Sequence, residues 1–160
     1  MSWLRRIFGG ADPRLAPAAS GRVTLPRRSE RIVVVAELDF VGERISSPDG
    51  RFTLLWRDRH WAYGEPVTGR YLLIDGETVL VDQGMERPQD GKVADGGNFI
   101  LNDWGDSDAL SGTFRAFRSD GSVILARSYS ANLLNNGLSD DGRLAVCQTA
   151  KRRARRTARC

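Results

Sequence analysis

Ser47-Pro48-Asp49-Gly50-Arg51 returns along the chain as Ala94-Asp95-Gly96-Gly97-Asn98 and again as Ser139-Asp140-Asp141-Gly142-Arg143. Aligned on Gly50, Gly97 and Gly142, the steps are 47 and 45 residues. Asp and Gly together mark tight turns, because Gly supplies the positive φ and Asp hydrogen-bonds its own backbone. Between these turns lie short β-branched and aromatic runs: Ile32–Ala36, Arg44–Ser47, Phe52–Trp56, Tyr71–Ile74, Thr78–Val81, Phe99–Leu101, Phe114–Phe117, Val123–Ala126 and Leu144–Cys147. Phe114-Arg115-Ala116-Phe117 alternates with period two, the pattern of a half-buried strand. Asp75-Gly76-Glu77 and Ser119-Asp120-Gly121 read as hairpin turns inside each cycle. The loops inside the cycles are assigned to 57–69 and 105–112, and those between cycles include 84–90 and 130–136. The pattern predicts an all-β fold of about eleven strands. It divides into two full four-stranded cycles, one strand ahead of them at Ile32–Ala36 and two strands after.

A turn that recurs every 45–47 residues with strands between marks a repeat architecture. The Ser47–Phe52 segment, its two echoes and the Asp103-Trp104 pair resemble the repeats of WD-type and related bacterial and archaeal β-propellers over roughly residues 31–148. The resemblance implies stacked four-stranded antiparallel blades, with the strand before each Asp-Gly turn lining a central channel. The Gly-His dipeptide of the best-known repeats of that kind is absent, since the one histidine, His60, lies elsewhere. Closed propellers carry four to eight blades, whereas this chain holds material for about three. The expected fold is therefore a partial propeller, completed by self-association. At Lys151 the third repeat gives way abruptly to charge, as in a chain cut short or read out of frame.

Charge divides the chain into the same three parts. Residues 1–30 form a basic, Pro-, Gly- and Ala-rich segment, 31–150 the blades and 151–160 a basic tail. The net charge of +4 is the balance of +5 over residues 1–31, −7 over 32–150 and +6 over 151–160. The folded part is thus acidic, and the tail lacks the interleaved aromatics that stack bases, which argues against nucleic acid as the partner. A polyanion binder using both basic ends is a third-ranked alternative. No stretch reaches the roughly 20 apolar residues of a membrane-spanning helix. Trp3, Leu4, Ile7 and Phe8 would share one side of a short helix. Arg5 and Arg6 interrupt any secretory apolar run. Cys147 and Cys160 make no disulfide framework, so the expectation is a cytoplasmic protein with reduced thiols.

No chemistry-bearing motif emerges. His60 has Asp58 near it and no local cysteine, which is short of a metal set. Asp103, Asp106 and Asp108 alternate as oxygen ligands would, but without a closing acid they read as solvated turn residues. Nucleophile elbows, phosphate loops and dinucleotide fingerprints are absent, so neither cofactor nor catalytic residue is assigned. In a propeller the loops joining the second strand to the third within a cycle, and those joining one cycle to the next, emerge on one rim. That rim would gather His60, Trp61, Tyr63, Arg87, Asn132, Asn135 and Asn136, residue types suited to protein recognition. Trp56 and Trp104, at strand ends, are expected to pack between blades. The function expected is non-catalytic protein–protein binding, and the alternative is a hydrolase or lyase with acids or His60 at the channel mouth.

Overall fold

A computed structural model describes residues 21–25, 31–105 and 110–150. The N-terminal helix, Asp106, Asp108, the basic tail and Cys160 of the preceding section lie outside them. The described residues are all-β and antiparallel, with thirteen strands and one 3-10 turn at Ala36–Leu38. No described helix is long and apolar enough to cross a membrane.

The first sheet has the order β1 (Ile32–Val35), β2 (Phe40–Ser46), β3 (Phe52–Arg57), β6 (Gly69–Asp75), β7 (Thr78–Met85). The second is a four-stranded meander of β8 (Pro88–Val93), β9 (Phe99–Trp104), β10 (Gly112–Phe117) and β11 (Val123–Tyr129). A hairpin of β12 (Leu133–Leu138) and β13 (Ala145–Thr149) follows. A small hairpin, β4 (His60–Ala62) with β5 (Glu65–Val67), is inserted between β3 and β6. The expected four-strand cycles are thus present as β2–β3–β6–β7 and β8–β9–β10–β11. Among the described residues no sheet closes on itself.

Two expectations change. Residues 57–69 are not all loop, because a second hairpin forms inside them. And β1 does not stand apart ahead of the first cycle. It pairs with the first half of β2, Val35 opposite Phe40 and Ile32 opposite Glu43, while β2 pairs with β3 only through Glu43–Ser46. Gly42 sits where β2 changes partner, and a Cβ there would meet the Trp56 carbonyl and the Phe40 ring.

The Asp-Gly corners are built alike. Gly50, Gly97 and Gly142 have φ of 76°, 81° and 69°, and each donates its N–H to the carbonyl three residues back. In the first corner the Asp49 carboxylate accepts from the Ser47 hydroxyl (2.5 Å) and the Arg51 amide (2.9 Å). In the third, Asp141 accepts from Ser139 (2.6 Å) and the Arg143 amide (3.0 Å). Consecutive corners are joined: the Asp49 amide donates to the Asp95 carboxylate and the Asp95 amide to the Asp140 carbonyl, both at 2.9 Å.

The middle corner is one residue shorter. Ser46 faces Thr53 and Leu138 faces Ala145 across six residues, but Val93 faces Phe99 across five. After the corner, the strands therefore repeat at a constant step of 46: Leu54, Ile100 and Val146 are equivalent. Because a one-residue slip exchanges the faces of a strand, Phe99 corresponds to Thr53 rather than to Phe52. The two sheets and the terminal hairpin consequently stack in the same sense. Leu54 points at the second sheet, and Ile100 packs in the cluster formed with the hairpin.

The main core lies between the two sheets. Leu54, Trp56, Tyr71 and Leu73 meet Val93, Phe99, Leu101 and Phe117, with Phe99 and Phe117 stacked at 4.7 Å and Tyr71 tilted 5.5 Å from Phe117. A second cluster covers the opposite face of the first sheet. There Leu55, Leu72 and Ile74 are wholly buried beneath Val23, Val33, Val35 and Phe40. Arg70 donates to the Leu38 carbonyl at 2.8 Å, which draws the 3-10 turn across β6. A smaller cluster of Ile100, Phe114 and Leu133 seats the terminal hairpin on the second sheet.

The corners make stability sensitive to acid. Ser47 and the Arg51 amide hold the Asp49 carboxyl below its usual range, and Ser139 with the Arg143 amide does the same for Asp141. A carboxyl whose folded value is depressed stabilises the fold above its unfolded value near 3.9 and loses that contribution as pH falls through the lower folded value. The denaturation midpoint should therefore fall as the pH drops below about 4. In the double variant Asp49→Asn, Asp141→Asn that fall should be shallower; equal slopes for both proteins would refute the assignment.

Candidate functional site

The β4–β5 hairpin stands at the end of β3 where the chain would otherwise cross directly to β6. Tyr63 and Gly64 form its turn, with φ of 53° and 86°. Two successive positive values are what a two-residue hairpin turn requires. Gly64 was the signal in the sequence; Tyr63 hid it, because a non-glycine residue at positive φ is uncommon. Pro66 is tolerated because the pair is isolated and its strands are edges.

The hairpin displays aromatics. Trp61 is 74% exposed and Tyr63 fully so. Trp61 pairs with Pro66 across the ladder, and His60 with Val67. Beside them runs a cleft of about 760 Å³, lined by Arg59, His60, Trp61, Pro66, Val67 and Glu86. A second cavity of about 430 Å³ continues past the shared Thr68 and Glu86 to Tyr71, Asp103, Arg115 and Phe117. The Tyr71 hydroxyl donates to Gln83 at 2.6 Å, and burial pushes its pKa up to about 12.

Charge pairs anchor the hairpin to the sheets. Arg59 reaches Glu86 at 2.9 Å across the cleft. Arg87, in the tight link between β7 and β8, grips both oxygens of Asp58 at 3.2 and 3.0 Å, and the pair raises its pKa. Its amide donates to Asp103, which also receives Arg115. Its guanidinium lies 5.9 Å from the Trp104 ring centre. Arg87 is thus a tie between the two sheets rather than a free contact. The sequence showed neither partner, since Asp58 and Asp103 lie 29 and 16 residues away.

The asparagines fall elsewhere. Asn135 and Asn136 belong to β12, not to a loop, and only Asn132 precedes it. Asn136 turns its amide onto the Asp90 carbonyl at 2.6 Å, toward the second sheet, so it supports the stack from within. Asn132 and Asn135 are exposed but do not line the cleft. Trp56 is buried against Gly91 of β8, between the sheets as expected, whereas Trp104 is 36% exposed beneath Arg87. Its place in the repeat explains the difference, because Asn102, not Trp104, is equivalent to Trp56. Cys147 is a free thiol that donates to the Tyr129 hydroxyl at 3.5 Å.

Two aromatics and an imidazole project beside an open, charged cleft, and ion pairs tie Asp58 and Arg59, just before the hairpin, to Arg87 and Glu86 in the link between β7 and β8. No family model, no curated protein and no solved structure matches the chain.

Proposed function

We propose that this chain is a non-catalytic binding module of propeller type that engages a protein partner through the β4–β5 hairpin. The observation that carries this is the exposure of Trp61 and Tyr63 on a hairpin whose turn and base are fixed. Large exposed aromatics on a rigid support bury much area at low entropy cost when a partner arrives, and such residues dominate binding energy. The cleft beside them admits a side chain of the partner between His60 and the Arg59–Glu86 pair. Support for the radial stack comes from the corner-to-corner hydrogen bonds and from the constant 46-residue step in one sense. A free Cys147 accords with a cytoplasmic setting.

A photo-crosslinking residue at position 63 would capture the partner, which is then purified and titrated. Combined Trp61→Ala and Tyr63→Ala should weaken binding by about 30-fold or more, the loss of at least one hot spot. The melting temperature should stay unchanged, because both side chains leave the core untouched. Unaltered affinity in the double variant would remove the hairpin from the interface.

A further inference from the structure

We infer that Asn136 is a fold-gated modification site: opening of the β12–β13 hairpin releases it to deamidate through the Gly137 nitrogen, and the product keeps the hairpin from docking again. The inference is independent of the partner site on the β4–β5 hairpin.

The chemistry is local. Asn136-Gly137 is the one Asn-Gly step in the chain. The backbone nitrogen of Gly137 attacks Cγ of Asn136, a C–N bond forms, and the Cγ–Nδ2 bond breaks. The proton of that nitrogen leaves with the amino group as ammonia. Water then opens the five-membered imide at either carbonyl, giving Asp or isoaspartate at 136. The balance is one water consumed and one ammonia released, with no oxidant, metal or second protein. Glycine in the following place favours the step, because it sets no Cβ beside the attacking nitrogen and leaves the backbone free to turn.

The folded chain withholds this step in three ways. β12 is extended, and Gly137 faces Val146 across its ladder. An extended backbone turns the following nitrogen away from the side chain, whereas closing the ring needs the two nearly eclipsed. Second, Nδ2 donates to the Asp90 carbonyl at 2.6 Å, which points the carboxamide toward β8 rather than along its own strand. The reversed amide would set two oxygens against each other, so the partner fixes this orientation. Third, Oδ1 is buried, and no donor among the described residues reaches it. The charge that develops on that oxygen during attack would go unstabilised, the reverse of an oxyanion hole.

What holds the gate shut is slight. Leu133 is the one fully buried side chain of residues 132–149. It packs on Ile100 and Phe114. Beside that cluster, the hairpin is tied to the second sheet by Asn136, by the Asn102 amide on the Leu134 carbonyl at 3.4 Å, and by the Asp95 amide on the Asp140 carbonyl. The β12–β13 register also slips between Leu133 and Asn136, immediately ahead of the site. An element with few buried apolar contacts opens more readily than the core of the sheets.

The product does not return. Deamidation puts a carboxylate oxygen where Nδ2 stood, facing the Asp90 carbonyl with nothing to donate. The other oxygen goes back to a place without a donor. A carboxylate buried among acceptors is strongly disfavoured. Isoaspartate goes further, because it routes the main chain through Cβ and Cγ and adds one atom to one strand of the ladder. An opening long enough for reaction therefore undocks the hairpin permanently.

The test is mass spectrometry of the full chain, digested after timed incubation at mildly alkaline pH in native buffer and in guanidinium chloride. The expected product is a gain of one mass unit in the peptide that holds residue 136, divided between Asp and isoaspartate. It should form at least about 10-fold faster in denaturant, the ratio being set by the free energy of opening. Leu133→Ala should raise the native rate by about 10-fold or more, since it removes the buried anchor. Gly137→Ala should slow the reaction in denaturant. Should Leu133→Ala fail to fold, the unaltered chain in low urea gives the same answer: the rate should rise in step with hydrogen exchange of 133–138 while 52–57 stay protected. The purified product, and Asn136→Asp, should lose protection at 133–138 and 145–149 and keep it at 52–57. Equal rates in native buffer and denaturant overturn the gate. Faster modification of another asparagine in denaturant overturns the site, and a product whose hairpin stays protected overturns the lock.

Discussion

Phe99→Ala should lower the free energy of unfolding by about 3–5 kcal/mol, the usual cost of deleting a buried aromatic. The position is severe because Phe99 is 1% exposed and joins two rings at once, stacked on Phe117 and 5.8 Å from Tyr71. Those contacts connect β9 to β10 within the second sheet and to β6 of the first. Truncation leaves a cavity at the seam rather than at an edge, where neighbours could close over it. The change should appear in urea titration as a lower midpoint with little change of slope. Since small domains are stable by only about 5–15 kcal/mol, this is a large share of the total. A loss below about 1 kcal/mol would mean that the two sheets are not held together by this cluster.

Gly91→Val should have the next largest effect. Gly91 lies in β8 directly beneath Trp56, and a Cβ there would stand 2.7 Å from the indole and 2.8 Å from Leu54. Both neighbours belong to the buried seam, so neither side chain can swing into solvent without opening it. Overpacking of this kind typically costs about 1–3 kcal/mol, and a β-branched residue against a trapped indole belongs at the upper end. The diagnostic measurement is a double-mutant cycle. Trp56→Leu makes room for the added methyl groups, so the pair should be less destabilised than the sum of the two single variants. Strict additivity would show that Gly91 and Trp56 do not share the space, since uncoupled sites add within about 0.5 kcal/mol.

The strands and corners were legible because they rest on local chemistry. Asp beside Gly predicts a positive-φ turn wherever it falls, and Asp75-Gly76, Asp120-Gly121 and Asp49-Gly50 all form one. Alternation in Phe114–Phe117 and the apolar run Phe52–Trp56 announce strands without knowledge of their neighbours. Where a reading required counting through a turn, it slipped. Aligning on glycine makes Phe52 and Phe99 equivalents. The middle corner is one residue shorter, so the faces exchange and that equivalence fails, and Trp104 lies two residues beyond Asn102, the counterpart of Trp56. The candidate site was legible only in its aromatics. Trp61 and Tyr63 stood out as exposed-loop residues, but the hairpin that fixes them depends on Tyr63 accepting a left-handed conformation. Arg87 was chosen for its residue type, and its ion pair with Asp58 is a long-range fact that spacing does not contain.

By itself the sequence determined an antiparallel all-β chain with three like corners, since turn residues and two-residue alternation act within a few bonds of each other. Only the tertiary structure decided which faces are covered. Leu55 and Val146 are both apolar residues in strands that leave an Asp-Gly corner, yet one is sealed beneath Val33, Val35 and Phe40 while the other faces solvent. The difference is a matter of what packs across them, and burial belongs to the contact between elements rather than to any segment alone.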